Sequence, residues 1–322
     1  MSGKKIIAVA GATGSQGGGL VRAILNDPAG EFAARALTRD VNSEAAQKLA
    51  ALVAEVVAAD VDDEASLARA FDGVHGAFCV TFYWNHMSPD RERAQATASA
   101  RAAKAAGVRH AIWSTLEDTR KFMSLDDPRM PTLMGKYKVP HFDVKGEADQ
   151  LFADSGVPAT FLLTSFYYDN FITFGMGPQR GPDGRLAITF PLGDVRMPVI
   201  AAEDIGACAY GVFRRGDALA GQRVGIAGDH LSGAEMAAAF TRLVGEEVAY
   251  NAIPPEVYRS FGFPGADDLG NMFQFKRDFN GAYRAVRDIE FARGLNAGLL
   301  SFETWLERNI ARIPIPAKAA GV

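Results

Sequence analysis

The chain has 322 residues, of which 48% are hydrophobic and 22% charged, a composition typical of a globular protein with one large core or two unequal ones. Its formal net charge of −4 provides no basic surface for a nucleic-acid backbone, which argues against direct nucleic-acid binding. The apolar run within residues 1–10 is too short for the core of a signal peptide, and no later stretch approaches the length of a membrane span.

Both cysteines, Cys79 and Cys208, lie in segments whose apolar pattern predicts burial. Neither belongs to a Cys-x-x-Cys or Cys/His pattern, and the five histidines show no ligand spacing. We therefore expect a cytoplasmic protein without a structural metal.

Residues 1–164 alternate short apolar runs with helix-forming stretches. Continuous apolar strands indicate burial on both faces, and repeated β/α units predict an α/β fold with a Rossmann-type, doubly wound parallel sheet. The predicted elements are, in chain order, strand Ile6–Ala10, helix Leu20–Leu25, strand Arg35–Thr38, helix Ser43–Leu52, strand Val53–Ala58, helix Asp63–Phe71, strand Ala77–Val80, helix Pro89–Ala106, strand Ala111–Trp113, helix Phe142–Phe152 and strand Thr160–Leu163.

Residues 165–322 are less regular and predict a smaller, mixed C-terminal region that is interleaved with the first and binds the substrate or a partner. Such a region commonly closes over the carboxyl ends of the sheet strands, where α/β proteins bind ligands. Its predicted elements are helix Ala202–Phe213, strand Val224–Ile226, helix Ser232–Leu243, strand Val248–Asn251, helix Pro255–Phe261 and helix Phe302–Ile310.

Gly11, Gly14 and Gly17 form a G-x-x-G-x-x-G pattern between the first predicted strand and the first helix. In this context the glycines permit a tight turn, a close approach of the backbone to a pyrophosphate, and packing of the helix on the strand. The helix N-terminus then offers N–H groups to the phosphates. The pattern predicts a dinucleotide site, with a glycine-rich turn that binds no ligand as the alternative.

The second predicted strand ends at Thr38 and is followed by Arg39 and Asp40. An NAD-binding protein would place an acidic residue here against the ribose, whereas a guanidinium pairs well with a 2′-phosphate. The sequence therefore favours NADP(H). Asp40 leaves open an NAD role or an ion pair with Arg39.

Two further strand ends are expected to line the same site. Asp60 and Val61 can contact the adenine, although Asp60 is equally suited to cap the following helix. Val80, Thr81 and Phe82 are expected to pass the nicotinamide ribose.

Several segments together resemble the NmrA-like family of atypical short-chain dehydrogenase relatives, and within it the NADP(H) redox-sensor branch. The resemblance covers nearly the whole chain and rests on GATGSQGG at 11–18, VTFYW at 80–84, PHFDVKGE at 140–147, GVP at 156–158, and GFPGA at 262–266 with Leu269, Asn271, Met272 and Phe273.

The resemblance implies a Rossmann domain with a smaller C-terminal region, a preference for NADP(H), and little or no dehydrogenase activity in many members. Ala94 departs from the sensor branch, which tends to carry a lysine nearby, and this leaves one phosphate or ribose contact open. The glycine pattern and the resemblance together imply cofactor contacts at Gly11, Ala12, Thr13, Gly14, Ser15, Gln16, Gly17, Arg39, Asp60, Val61, Val80, Thr81, Phe82, Lys145, Ser165, Phe166, Tyr167 and Tyr168.

An active short-chain dehydrogenase uses Tyr-x-x-x-Lys on one helix, where the tyrosine exchanges a proton and the lysine holds the ribose. Lys145 takes the place of that lysine, but the residue one turn earlier is His141, and Tyr137 precedes Pro140 and the helix. His141 can exchange a proton near neutral pH, although capping or packing is also typical of such a histidine. Ser114 follows the fifth strand, where it either polarises a substrate or satisfies local backbone.

Two functions remain from this reasoning. The favoured one is a regulator or redox sensor in which NADP(H) orders nearby loops and changes a surface for a protein partner. The alternative is an NADPH-dependent reductase of a small hydrophobic acceptor, such as a quinone or enone. The missing tyrosine weighs against the second function. The apolar pocket of such a reductase would be formed by Phe82, Tyr83, Trp84, Phe166 and Tyr167.

Overall fold

The computed structural model of the protein describes residues 3–52 and 54–318. Val53, the first residue predicted for the third strand, and the outermost residues of the two predicted regions, 1–2 and 319–322, lie outside the described residues.

The central layer is a seven-stranded parallel sheet, flanked by helices, and two smaller three-stranded sheets accompany it. The strands are β1 Lys5–Val9, β2 Phe32–Thr38, β3 Glu55–Ala58, β4 Gly76–Cys79, β5 His110–Thr115, β6 Ala159–Leu163, β7 Phe166–Tyr167, β8 Gln179–Arg180, β9 Leu186–Phe190, β10 Met197–Ile200, β11 Arg223–Gly225, β12 Asp229–Leu231 and β13 Val248–Ala252.

The central sheet has the order β11-β6-β5-β4-β1-β2-β3, and the small sheets have the orders β12-β10-β7 and β13-β9-β8. From β1, the chain adds β2 and β3 on one side and then β4, β5 and β6 on the other. The boundary between β1 and β4 is therefore the switch point, where doubly wound sheets bind ligands. The predicted Rossmann-type fold is confirmed.

The helices complete the layers on both faces of the sheet and form much of the C-terminal region. They are α1 Ser15–Leu25, α2 Glu44–Ala51, α3 Glu64–Phe71, α4 Pro89–Ala105, α5 Pro140–Ser155, α6 Asn170–Thr173, α7 Ala202–Arg215, α8 Gly233–Val244, α9 Pro255–Arg259, α10 Ala266–Asp278, α11 Asn280–Ala285, α12 Ile289–Leu295 and α13 Phe302–Asn309.

The predicted elements are present, with shifted ends. The largest shift is at α1, which begins at Ser15 instead of Leu20 because the run of glycines after Gln16 is helical and packed. The sequence pattern missed α6, α10, α11 and α12 and, in the small sheets, every described strand except β13. It also did not show that β11 pairs with β6 and so extends the central sheet.

A backbone contact between α1 and α7 joins the first half of the chain to the second. A Cβ atom on Gly19 would lie 2.4 Å from the carbonyl oxygen of Glu203, and one on Gly206 would lie 2.1 Å from the nitrogen of Leu20. Only glycine permits this approach. The ion pair of Arg22 Nε with Glu203 Oε1, at 2.6 Å, lies beside the contact.

The C-terminal core is largely aromatic, but it also buries charge. Arg287 Nη1 binds Glu117 Oε1 at 2.5 Å, which ties the end of β5 to the segment after α11. Lys276 lies among the rings of Phe142, Phe166 and Tyr283, where burial first and the charge of Arg287 second lower its pKa to about 7. No helix within residues 3–52 and 54–318 is both long and apolar enough to cross a membrane.

We predict that Gly206→Ala destabilises the protein by about 1–3 kcal/mol, because the added methyl group meets the backbone of α1. Urea denaturation measures the change. Gly281→Ala is the matched control, because a Cβ there meets nothing within 4 Å. Its expected effect is a stabilisation of up to about 1 kcal/mol from helix propensity. Equal effects of the two substitutions would contradict the close contact.

Candidate functional site

The glycine turn that follows β1 brings the start of α1 close to the end of that strand. Gly11 has a φ of +63°, which favours glycine, and a Cβ on Gly17 would lie 2.4 Å from the carbonyl oxygen of Gly11. Gly14 caps α1 without a side-chain hydrogen bond, and the first turn holds no acidic residue. The first amide groups of α1 therefore have no capping side chain, which suits the phosphates of a dinucleotide.

Arg39 is exposed immediately after the end of β2. Asp40 does not turn toward it, since Asp40 Oδ1 accepts a hydrogen bond from the backbone nitrogen of Asn42 at 2.8 Å. This local turn corrects the alternative in which Asp40 pairs with Arg39. The guanidinium is thus left available at the edge where the adenosine ribose is expected.

The residues after β3 are placed beside α4. Asp63, not Asp60, caps α3, because its side chain accepts hydrogen bonds from Ala65 and Ser66. The interpretation of Asp60 as the cap of that helix was wrong. Asp60 instead begins a short turn, with Oδ1 accepting from the nitrogen of Asp62 at 3.0 Å. A cavity of about 440 Å³, lined in part by Val61 and Ala94, adjoins this turn.

Gln16 connects three parts of the chain at the switch point. Its Oε1 accepts a hydrogen bond from Ser114 Oγ at 2.8 Å, and its Nε2 donates to the hydroxyl of Tyr167. Ser114 therefore does not satisfy local backbone, which was the alternative to a site role. Burial raises the pKa of Tyr167, so its phenol carries a proton at neutral pH.

A buried carboxylate, Glu92, anchors Lys145. Lys145 Nζ lies 2.9 Å from Glu92 Oε1 and donates to Thr81 Oγ1 at 2.7 Å, while Thr81 Oγ1 donates to Glu92 Oε1 at 2.5 Å. Glu92 is completely buried, and His86 Nε2 approaches its other oxygen at 3.3 Å. Three segments, after β4, in α4 and in α5, thus converge on one charge pair.

His141 forms a pair with Asp268, which α10 brings from the C-terminal region. His141 Nδ1 lies 2.6 Å from Asp268 Oδ1, and the backbone nitrogen of His141 donates to Asp268 Oδ2 at 3.2 Å. The carboxylate therefore holds both the ring and the first turn of α5, and it leaves Nε2 for another partner. His141 and Lys145 lie one turn apart on the same face of α5.

Aromatic side chains surround this pair. The ring of Trp84 lies 4.8 Å from that of His141, and the ring of Tyr83 lies 6.1 Å away. A Cβ on Gly265 would lie 2.7 Å from Trp84, so the loop before α10 packs on this ring. Phe82, at the same end of β4, is 51% exposed.

The segment after β6 contributes less to the site than expected. The side chains of Phe166 and Tyr168 are buried in the C-terminal core, and Ser165 Oγ donates to the carbonyl oxygen of Ile226. Alternate residues of an extended segment point to opposite sides, so only Tyr167 is directed to Gln16. The cofactor contacts expected of Phe166 and Tyr168 stay a prediction, and the burial of both side chains leaves the backbone to make them.

Two charged residues of the site, Glu92 and Asp268, were not predicted. Glu92 lies in a run of charged residues that is typical of a solvent-exposed helix start, and only the tertiary structure shows its burial. Asp268 follows the GFPGA segment, in a helix that the pattern missed. Within residues 3–52 and 54–318, no group of three or more His, Cys, Asp or Glu side chains is placed to hold a metal ion.

The fold and the glycine turn define a Rossmann-type protein with a dinucleotide-type phosphate cradle. The sequence profile of the NmrA-like family matches residues 3–307. The chain belongs to the NmrA-like family.

The proteins that this chain resembles include oxidoreductases and a transcriptional regulator. The NmrA-like family domain-containing oxidoreductase FrzB of Cladobotryum sp. is 28% identical over 306 residues, covering 88% of each chain. The negative transcriptional regulator NmrA in complex with NADP has a TM-score of 0.73 at 23% identity, covering 97% of this chain and 95% of that one. Triphenylmethane reductase of Citrobacter sp., complexed with NADP(H), has a TM-score of 0.72 at 19% identity, covering 95% and 99%. Structures at this identity show the shared fold alone.

We predict that Glu92→Gln costs roughly 3 kcal/mol of stability, because it leaves the largely buried Lys145 ammonium without its counter-charge. Chemical denaturation of both proteins measures this. Glu147→Gln is the control, since its ion pair with Arg93 is more exposed and is expected to contribute less than about 1 kcal/mol. A loss for Glu92→Gln no larger than that of the control would show that Glu92 does not hold Lys145.

Proposed function

We propose that this protein is an NADPH-dependent reductase of a small apolar acceptor, with His141 as the proton donor. The pairing of His141 with Asp268 carries this proposal. It reverses the order of the two functions that the sequence suggested, because the missing tyrosine was the main argument against catalysis. A histidine held by a carboxylate at that place can do the same work.

The pair supports proton transfer by geometry. Asp268 accepts a hydrogen bond from the Nδ1–H group of His141 and so fixes the orientation of the ring, with Nε2 directed away from the carboxylate. When both ring nitrogens carry protons, the carboxylate stabilises the imidazolium. Nε2 then gives its proton to the oxygen of the acceptor and regains one from water.

The cofactor would lie along the edge described above. The first turn of α1 would hold the pyrophosphate, Arg39 the 2′-phosphate, and Lys145 with Thr81 the nicotinamide ribose. Bound NADPH would supply the hydride. The NADP complexes of NmrA and of triphenylmethane reductase support the cofactor class, although NmrA also forms a complex with NAD.

The acceptor class follows from the surroundings of His141. Trp84 and Tyr83 flank the ring, and Phe82 is exposed beside them. A flat apolar molecule such as a quinone or an aromatic enone suits these faces. The names of the relatives, an oxidoreductase and a dye reductase, agree with such a reaction.

We predict that the protein binds NADPH more tightly than NADH and that Arg39→Ala removes most of this preference. A charge-assisted hydrogen bond is worth roughly 1.5–3 kcal/mol, or about 10- to 100-fold in affinity. Calorimetric titration with both cofactors measures the effect. Arg109→Ala, an exposed arginine at the opposite end of the sheet, is the control. Equal affinity of the unaltered protein for NADPH and NADH would refute the preference.

We predict that His141→Ala lowers the rate of NADPH oxidation by a quinone or enone roughly 10²-fold, with NADPH affinity nearly unchanged, because only the acid is lost. Asp268→Asn is expected to lower kcat without changing the affinity for NADPH. Lys145→Ala is expected to lower both kcat and that affinity. Stopped-flow absorbance of NADPH under anaerobic conditions gives the rates.

His75→Ala, at the amino-terminal end of β4, serves as the control and is expected to leave turnover intact. Saturable turnover that survives His141→Ala would exclude this residue as the acid. Absence of turnover with every acceptor, together with tight NADPH binding, would instead favour the second function.

That second candidate is a cofactor-responsive regulator, and Gln16 is the observation that favours it. Gln16 lies in the first turn of α1 and also binds Tyr167, beside the C-terminal region. A cofactor that displaces Gln16 would release Tyr167 and change the surface offered to a protein partner. A cytoplasmic location and the division into 1–164 and 165–322 also belong to the proposal, and the two buried free thiols agree with the location.

A further inference from the structure

A cleft of about 430 Å³ lies where α9, α10 and the loop between β5 and α5 meet. Its volume is within the range of small-molecule sites. Three arginines, Arg129, Arg259 and Arg277, line it from three different segments, and Glu256 is the carboxylate among its lining residues. Within the described parts of the chain, none of the proposed cofactor contacts lines this cleft.

Two of the arginines are paired with acidic neighbours. Arg129 Nη2 binds Asp127 Oδ2 at 2.6 Å, and Arg277 Nε binds Asp278 Oδ1 at 2.8 Å. A guanidinium carries five N–H groups, so a single carboxylate leaves donors for a further ligand.

Among residues 3–52 and 54–318, no carboxylate forms an ion pair with Arg259. Its Nη1 donates to two amide oxygens, Asn271 Oδ1 at 3.1 Å and Gln274 Oε1 at 2.8 Å, and these partners carry no charge. Burial lowers the pKa of Arg259 below its usual range, and the charge of Arg277 adds to this effect while Glu256 opposes it. A half-buried cation beside two others is stabilised by an anion.

The amide contacts also fix the direction of the guanidinium. Asn271 Nδ2 donates to the carbonyl oxygens of Lys138, at 2.6 Å, and Pro131, at 2.9 Å, so Asn271 is held between Arg259 and the segment before α5. Arg259 is therefore oriented before any ligand arrives, which lowers the cost of binding.

We propose that this cleft is a second ligand site for a tetrahedral anion such as the phosphoryl group of a small metabolite. Arginine forks bind two oxygens of such a group at once. Asp127, Asp278 and Glu256 balance the formal charge of the three guanidiniums. An anion would therefore be held by the unused N–H groups of the forks and by Arg259, which forms no ion pair with a carboxylate among residues 3–52 and 54–318.

The site is linked to the His141–Asp268 pair through α10. Asp268 lies one turn before Asn271, and Lys138 lies three residues before His141. A ligand bound to Arg259 would therefore act, through Asn271, on the segments that carry both partners of that pair. An effect of the ligand on turnover rests on the proposed role of His141, whereas binding of the ligand does not.

Binding is tested by thermal unfolding of the full chain in inorganic phosphate, in glycerol phosphate and in chloride at matched ionic strength. Both phosphates are expected to raise the melting temperature in a saturable way. Arg259→Gln and Arg277→Gln are each expected to weaken the apparent affinity roughly tenfold or more. Tighter binding of the monoester than of inorganic phosphate would identify a metabolite as the ligand, and the reverse order would identify free phosphate.

Two controls separate this site from the cofactor cradle. Gly14→Val, which fills the cradle in front of α1, and Arg308→Gln, an exposed arginine of α13, are expected to keep the full response. Loss of the response in Gly14→Val, or its survival in both Arg259→Gln and Arg277→Gln, would overturn the proposal. NMR of the histidine rings tests the link, because phosphate is expected to shift the His141 signals and to leave them unchanged in Arg259→Gln.

Discussion

The close backbone contact of α1 with β1 and α7 is the constraint on which the other features depend. Gly17 lets α1 lie against the turn after β1, and Gly19 with Gly206 lets it lie against α7. Side chains at these positions would push the helix outward, and the amide groups of its first turn would no longer face the phosphate space. The same contact attaches the second half of the chain, because α7 and β11 pack on the layers that the first half builds.

Buried charge then sets the finer positions. Glu92 is completely buried, yet it has Lys145, Thr81 and His86 around it, so the cost of its desolvation is offset by close partners. The result is a lysine ammonium held at the end of β4 without a tyrosine to position it. Arg287 with Glu117 has a comparable role deeper in the molecule, where the pair joins the central sheet to the C-terminal region.

The C-terminal region completes the site through two contacts across long stretches of chain. Asp268 reaches His141, and Tyr167 reaches Gln16, so the first turn of α5 and the first turn of α1 each have a partner outside 1–164. This arrangement gives one physical basis to both functions considered. A change at Gln16 or at His141 would act directly on a residue of the C-terminal region, whichever of the two proposed functions applies. The arginine cleft lies on the same helix as Asp268 and offers a further point of control.

The sequence by itself determined the alternation of β and α elements, the glycine turn, the presence of an arginine after β2 and the absence of the usual tyrosine, because each depends on local pattern or on residue identity. The tertiary structure alone decided which polar groups meet. The local sequence predicts an exposed Glu92, and only the packing of α4 against α5 buries it. Asp268 lies 127 residues from its partner, in a helix whose apolar pattern is weak. The alternation that buries Phe166 and Tyr168 but exposes Tyr167 to Gln16 likewise depends on which side of the segment faces the core. Long-range pairing leaves no periodic signal in a single sequence, and this is the physical reason that the site's charges appeared only in the fold.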